Sequence, residues 1–144
     1  MACSAALDAF ELIARVSDWS QRDDRVVAAG LCGSYARGQA RPDSDIDFCI
    51  LTPEPGSLLE DCSWIYRFDS GARIAGPVED YKLVQSIRVF YGQTEVEFGI
   101  TDEAWMRLPI DRETAGVMNN GLQILYDPEG RLKQAADFAA TTLE

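Results

Sequence analysis

Two aspartates, Asp45 and Asp47, stand at the opening of an apolar run, Ile46 to Leu51. On a strand, residues i and i+2 face the same way, about 6 to 7 Å apart along the chain, so both carboxylates project from one face. Two anions held that close invite a hard cation, and Mg²⁺ typically takes one or two carboxylates together with substrate phosphates. A place for phosphates lies just upstream. Val26 to Cys32 reads as a buried strand, and Gly33-Ser34 then turns the chain into a short helix ending near Gly38. A glycine lets a phosphate approach the backbone, free N–H groups at a helix start carry partial positive charge, and the Ser34 hydroxyl adds a donor. A phosphate cradle facing paired aspartates describes a metal–triphosphate site.

The run Gly33-Ser34-Tyr35-Ala36-Arg37-Gly38, followed by Ser44-Asp45-Ile46-Asp47, resembles the G-S-x-A-R-G…S-D-x-D signature of the nucleotidyltransferase superfamily, which shares the DNA polymerase beta catalytic fold. The resemblance implies an α/β (α+β) fold, a mixed β-sheet with helices on one face. It implies Asp45 and Asp47 as catalytic ligands of one or two Mg²⁺ ions, and Gly33 and Ser34 as binders of the β- and γ-phosphates of an NTP. Arg37 and Ser44 complete the expected nucleotide-binding set. Arg37, one helical turn after Ser34, either reaches phosphate or pairs with an acid of the sheet; Ser44 helps to fix the entering turn, and Arg41 is a surface residue. In families with this signature a third carboxylate comes from a later strand beside the Asp-x-Asp strand. Glu97, directly before Phe98-Gly99-Ile100, is the expected third ligand or general base, with Glu95 in reserve.

Small single-domain proteins of this kind resemble antibiotic nucleotidyltransferases, which adenylylate a hydroxyl of a lincosamide or aminoglycoside, or minimal nucleotidyltransferases that act as antitoxins and modify a toxin. The implied reaction moves a nucleoside monophosphate, AMP first among candidates, from an NTP to a hydroxyl of a small molecule or protein and releases pyrophosphate. The alternative is a binding module, an antitoxin or nucleotide-binding protein that acts on a partner by contact.

Composition bounds these readings. The 144 residues match one domain, residues 1–144, with enough chain for a real core. Hydrophobic residues make up 47% and mean hydropathy is -0.15, as in an ordinary soluble protein. With 24 acids, 13 bases and a net charge of -11, nucleic acid is not the expected partner. No apolar stretch approaches the ~20 residues of a membrane span, and no signal-peptide pattern opens the chain, so a cytoplasmic location is expected. Cys3, Cys32, Cys49 and Cys62 form no C-x-x-C pair and the chain has no histidine, which argues against structural zinc. Cys32 and Cys49 are expected as buried, reduced thiols.

The remaining elements follow from periodicity. Ser4 to Trp19 carries a helical apolar stripe with Ser4 as its cap. Two prolines and a glycine at 53–56 precede a helix from Ser57 to Phe68, with Ser57 and Glu60 as a capping box and Leu58, Leu59, Trp64, Ile65 and Phe68 inward. Asp69 to Asp80 reads as a loop able to move over a substrate, with a short strand at 72–75. Tyr81 to Tyr91 and Thr94 to Thr101 form a hairpin across Gly92-Gln93. After it come a short helix at 102–107, a helix at 111–120 capped by Asp111, a strand at Leu122 to Tyr126, and a closing helix from Arg131 to Leu143 with Leu132, Ala136 and Ala139 or Ala140 inward. Since only about 40 residues follow Thr101, the acceptor site is expected from loops, short helices or the second subunit of a homodimer.

Overall fold

The computed structural model describes residues 8–81 and 83–142. Its strands are β1 (Ala28–Cys32), β2 (Ile46–Leu51), β3 (Arg73–Ile74), β4 (Glu79–Tyr81), β5 (Val84–Tyr91), β6 (Thr94–Thr101) and β7 (Leu122–Tyr126). They make one mixed sheet in the order β3-β5-β6-β2-β1-β7, with β4 also paired to β5. Among the described residues five helices flank it: α1 (Ala9–Arg22), α2 (Gly33–Arg37), α3 (Pro55–Glu60), α4 (Arg112–Asn119) and α5 (Arg131–Ala140). Short 3₁₀ turns occupy Cys62–Arg67 and Glu103–Met106. No helix among the described residues is long and apolar enough to cross a membrane.

Alternation along the central strands divides the protein into two cores. From β2, Ile46, Phe48 and Ile50 point to one face, where Phe98 and Ile100 of β6 and Ile87 and Val89 of β5 join them. Helix α1 closes that face with Leu12, Val16 and Trp19, a stripe at helical spacing. Trp19 stacks on Trp64 with centroids 4.9 Å apart, and Trp64 meets Phe98 edge-on at 5.0 Å. Two buried polar atoms of this cluster are satisfied locally: the Trp64 indole donates to the Leu58 carbonyl at 2.9 Å and the Tyr91 hydroxyl to the Ile65 carbonyl at 2.8 Å. Truncating Phe98, fully buried among these rings, is expected to cost about 3–5 kcal/mol. Urea unfolding of Phe98→Ala measures this, and a loss under about 1 kcal/mol would contradict the packing described.

The opposite face corrects the expectation of helices on one side. Ala28 of β1 and Cys49 and Leu51 of β2 are buried there beneath Trp105, Met106, Ala115, Met118, Leu132, Ala135 and Ala139. The physical reason lies in the apolar runs themselves: strands that are apolar without alternation need cover on both faces, as parallel-paired central strands do. The 3₁₀ turn at Glu103–Met106, α4 and α5 supply that cover.

Local starts and stops also differ from expectation. Asp8 caps α1, accepting from the Phe10 N–H at 3.3 Å; Ser4 and the last residues of the chain, 143–144, lie outside the described residues. The predicted helix 57–68 is two pieces. Pro55 occupies the first turn of α3, where its missing N–H costs nothing. Ser57 sits inside that turn and donates to the Glu54 carbonyl at 2.8 Å, so the capping box does not form. Asp61 then breaks the helix with extended backbone and caps the next turn through the Ser63 N–H at 3.1 Å. In α5 the inward residues are Leu132, Ala135 and Ala139, one position from the expected Ala136.

Candidate active site

The site forms where β1 and β2 end side by side. Cys32 is paired across the strands with Asp47, so the turn that leaves β1 stands against the acid that enters β2. Gly33 makes that turn at φ +76°, a left-handed conformation that costs other residues about 1–2 kcal/mol. A Cβ there would also meet the Asp47 Oδ2 at 2.9 Å. Glycine is therefore demanded twice, once by the backbone and once by the carboxylate. Gly38, at φ +71°, ends α2.

The third acid arrives through the parallel pairing of β2 with β6, which sets Glu97 beside Asp47. Carboxylate oxygens of Asp45, Asp47 and Glu97 lie within 4.8 Å of one another. Glu97 is oriented by the Ser86 hydroxyl, which donates to its Oε1 at 2.8 Å. Glu95 shares its face but is drawn to Arg88, at 3.1 Å, which also lies 3.8 Å from Glu79. Asp47 is half-buried, and burial, followed by the charges of Asp45, Glu97 and Glu95, pushes its carboxyl up to about 7. Three acidic oxygen donors gathered at that cost fit a hard divalent cation, whose charge would relieve the repulsion.

The other signature residues hold the frame. Ser44 closes the approach to β2: its hydroxyl accepts from the Arg41 N–H at 2.8 Å and its own N–H donates to the Arg41 carbonyl at 3.0 Å. Ser34 lies half-buried in the first turn of α2. Among the described residues Arg37 is not paired with an acid of the sheet. Its Nη1 donates to the Asn120 carbonyl at 2.7 Å and its Nε to Gln39 at 3.3 Å, which ties α2 to the end of α4. Gly121, next in the chain, packs so closely there that a Cβ would meet the Arg37 Cγ at 2.8 Å and the Gly33 carbonyl at 3.1 Å. Arg37→Ala is expected to cost on the order of 1 kcal/mol in denaturant unfolding. A raised KM for the NTP with unchanged stability would instead assign Arg37 to phosphate.

In front of the acids opens a cavity of about 720 Å³. Besides Gly33, Asp45, Asp47 and Glu97, its lining includes Cys32 and Cys49 on the strands, Val84 and Trp105 at the side, and Glu113 and Val117 of α4. None of these last four is marked in the sequence by anything beyond an ordinary amphipathic pattern. The segment 69–80, expected as a loop over the substrate, is instead stitched to β5 at β3 and β4, and Tyr81 at its end joins the lining. Cys32 and Cys49 stand at diagonal positions on this face of the two strands, and the neighbouring Cys32 thiol, with burial, pushes the Cys49 thiol up.

A mixed sheet delivering three acids beside a Gly-Ser turn defines the frame of a nucleotidyl-transfer domain. A family model described as "Nucleotidyltransferase domain" matches residues 14–106, and the chain belongs to that family. The match contains α2, the hairpin and all three acids. No curated protein matches this sequence. Among solved structures it is similar to one described as "Crystal structure of the toxin-antitoxin with AMP-PNP", at 12% identity and a TM-score of 0.44, over 91% of this chain and 84% of that one.

Proposed function

We propose that this protein transfers a nucleoside monophosphate, with AMP the first candidate, from an NTP to a hydroxyl of a small molecule or a protein. The single observation that carries the reading is the convergence of Asp45, Asp47 and Glu97 within 4.8 Å beside the Gly33 turn in a chain of this family. In the reaction the acceptor oxygen attacks the α-phosphorus, the bond from that phosphorus to the pyrophosphate oxygen breaks, and the hydroxyl proton leaves the acceptor. The three acids would hold one or two Mg²⁺ ions, which supply charge neutralisation at the phosphates and acidify the acceptor hydroxyl.

The chain's own residues divide the remaining work. Gly33 keeps the turn bare, so a phosphate can approach the backbone N–H groups, and the Ser34 hydroxyl adds a donor. Ser44 and Arg37 hold the two ends of this frame still, which matters because transfer by in-line attack depends on position. Glu97, aimed by Ser86, stands on the acceptor side, with metal ligation and proton acceptance as its two candidate duties. Such a reaction belongs in the cytoplasm, where NTPs, Mg²⁺ and reduced thiols coexist.

The test is incubation with α-labelled ATP, CTP, GTP or UTP and Mg²⁺, against a panel of hydroxylated small molecules and a cell extract, with Asp45→Asn/Asp47→Asn as control. Label on a small molecule or on a protein, absent in the control, supports the proposal and names the acceptor class. Metal-dependent nucleotide binding without transfer would point to action by contact, and no binding at all would remove the site assignment.

A further inference from the structure

Cys32 and Cys49 are unused by the proposed reaction, yet they sit on the cavity wall next to its central acid. Cys32 lies opposite Asp47, and Cys49, opposite Gly30, follows Asp47 by two residues, so all three side chains occupy one face of two adjacent strands. Both cysteines line the cavity, Cys32 half-buried and Cys49 buried, and both are free thiols. The Cys49 Sγ leans across to β1, 3.0 Å from where a Cβ on Gly30 would stand, and Gly30 lies two residues from Cys32 on that strand.

We propose that Cys32 and Cys49 form a two-thiol site for one thiophilic divalent cation of the zinc or cadmium class, and that its occupation weakens hard-cation binding at Asp47. Geometry favours a bridging ion over a disulfide. The two residues are diagonal across an antiparallel pair, where Cα atoms stand about 7–8 Å apart, whereas a disulfide wants about 4.4–6.8 Å and sulfurs at about 2.0 Å. Two metal–sulfur bonds of about 2.3 Å at a tetrahedral angle place sulfurs about 3.8 Å apart, a span that side chains at diagonal positions on one face can bridge. In binding, each thiol gives its proton to water and its sulfur electron pair to the metal, so one divalent ion replaces two protons. Water from the cavity completes the shell. A second divalent charge at that place opposes an ion held by Asp47, which shares the same strand face. Thiolate donors select soft ions, so Mg²⁺ does not compete for the sulfurs.

The binding half stands apart from the proposed function, while the weakening of a cation at Asp47 rests on it. The test titrates the full chain, with Cys3→Ser and Cys62→Ser in the background and excess Mg²⁺ present, with Cd²⁺. The ultraviolet thiolate-to-cadmium absorption is followed. One equivalent per chain is expected, with apparent affinity falling at least about tenfold in Cys32→Ser and, independently, in Cys49→Ala. An absent band, or one undiminished in either variant that still folds, overturns the site. In a second arm without Mg²⁺, Mn²⁺ binding is followed by electron paramagnetic resonance, and Cd²⁺ at one equivalent is expected to weaken it in the parent but not in Cys32→Ser. Unchanged Mn²⁺ affinity overturns the coupling. Failure of the parent to bind Mn²⁺ at all overturns both the coupling and the carboxylate site, while the absorption titration still decides the thiols.

Discussion

Replacing Asp47 by asparagine is expected to abolish nucleotidyl transfer, by a factor on the order of 1,000 or more, and at the same time to make the metal-free protein more stable above neutral pH. The two effects share one cause. Asp47 carries its charge against burial and against Asp45, Glu97 and Glu95, which raises its carboxyl to about 7 in the folded protein. An unfolded aspartate titrates at about 3.9. Between those values the folded chain binds more protons than the unfolded one, so stability falls as pH rises through this window. The contribution is fully present below the unfolded value and is lost once pH passes the folded one. Asparagine feels none of this. Because the carboxylate keeps contact with solvent, the gain for Asp47→Asn at pH 8 is on the order of 1 kcal/mol, or about 3 °C in Tm.

Thermal melts of parent and variant at pH 5 and pH 8, with and without Mg²⁺, measure it. Parent stability should drop between the two pH values, Mg²⁺ should restore it at pH 8, and the variant should show neither response. A variant less stable than the parent at pH 8 without metal would show that the three acids are not in electrostatic conflict.

The second large effect is expected at Gly33. Gly33→Ala forces a side chain into a left-handed conformation and drives its Cβ to 2.9 Å from the Asp47 Oδ2. The backbone term costs about 1–2 kcal/mol. The collision moves Asp47, and displacement of a reacting group by about 1 Å costs on the order of 100-fold in rate. Gly38 has nearly the same φ, +71°, but nothing stands near the Cβ it would acquire. Gly38→Ala is therefore the matched control, with the same backbone penalty and little loss of rate. Equal loss of activity in both variants would mean that strain in α2, and not contact with Asp47, sets the effect.

Strands β2 and β7 lie at Ile46–Leu51 and Leu122–Tyr126, and Asp111 caps α4, because runs of apolar residues bounded by turn formers are local signals. Spacing of two places Asp45 and Asp47 together for the same reason. The break at Asp61 was harder to see, since the apolar residues on either side of it continue a helical stripe that one capping hydrogen bond interrupts.

Local residue order carries the chemistry on offer: a Gly-Ser turn before a pair of aspartates on one strand face, with two alternating acids on a later strand. Glu95 and Glu97 have identical alternation, so spacing does not separate them, and only the family resemblance of Phe98-Gly99-Ile100 after Glu97 favours Glu97. Tertiary structure separates them through neighbours, because parallel register brings Glu97 to Asp47 while Arg88 draws Glu95 aside. It likewise turned Arg37 toward Asn120, set α4 and Trp105 as walls of the cavity, and brought Cys32 and Cys49 onto one face of adjacent strands. Each of these depends on residues distant in the chain meeting in space, and periodicity along a single chain carries no information about which of several equivalent faces will meet.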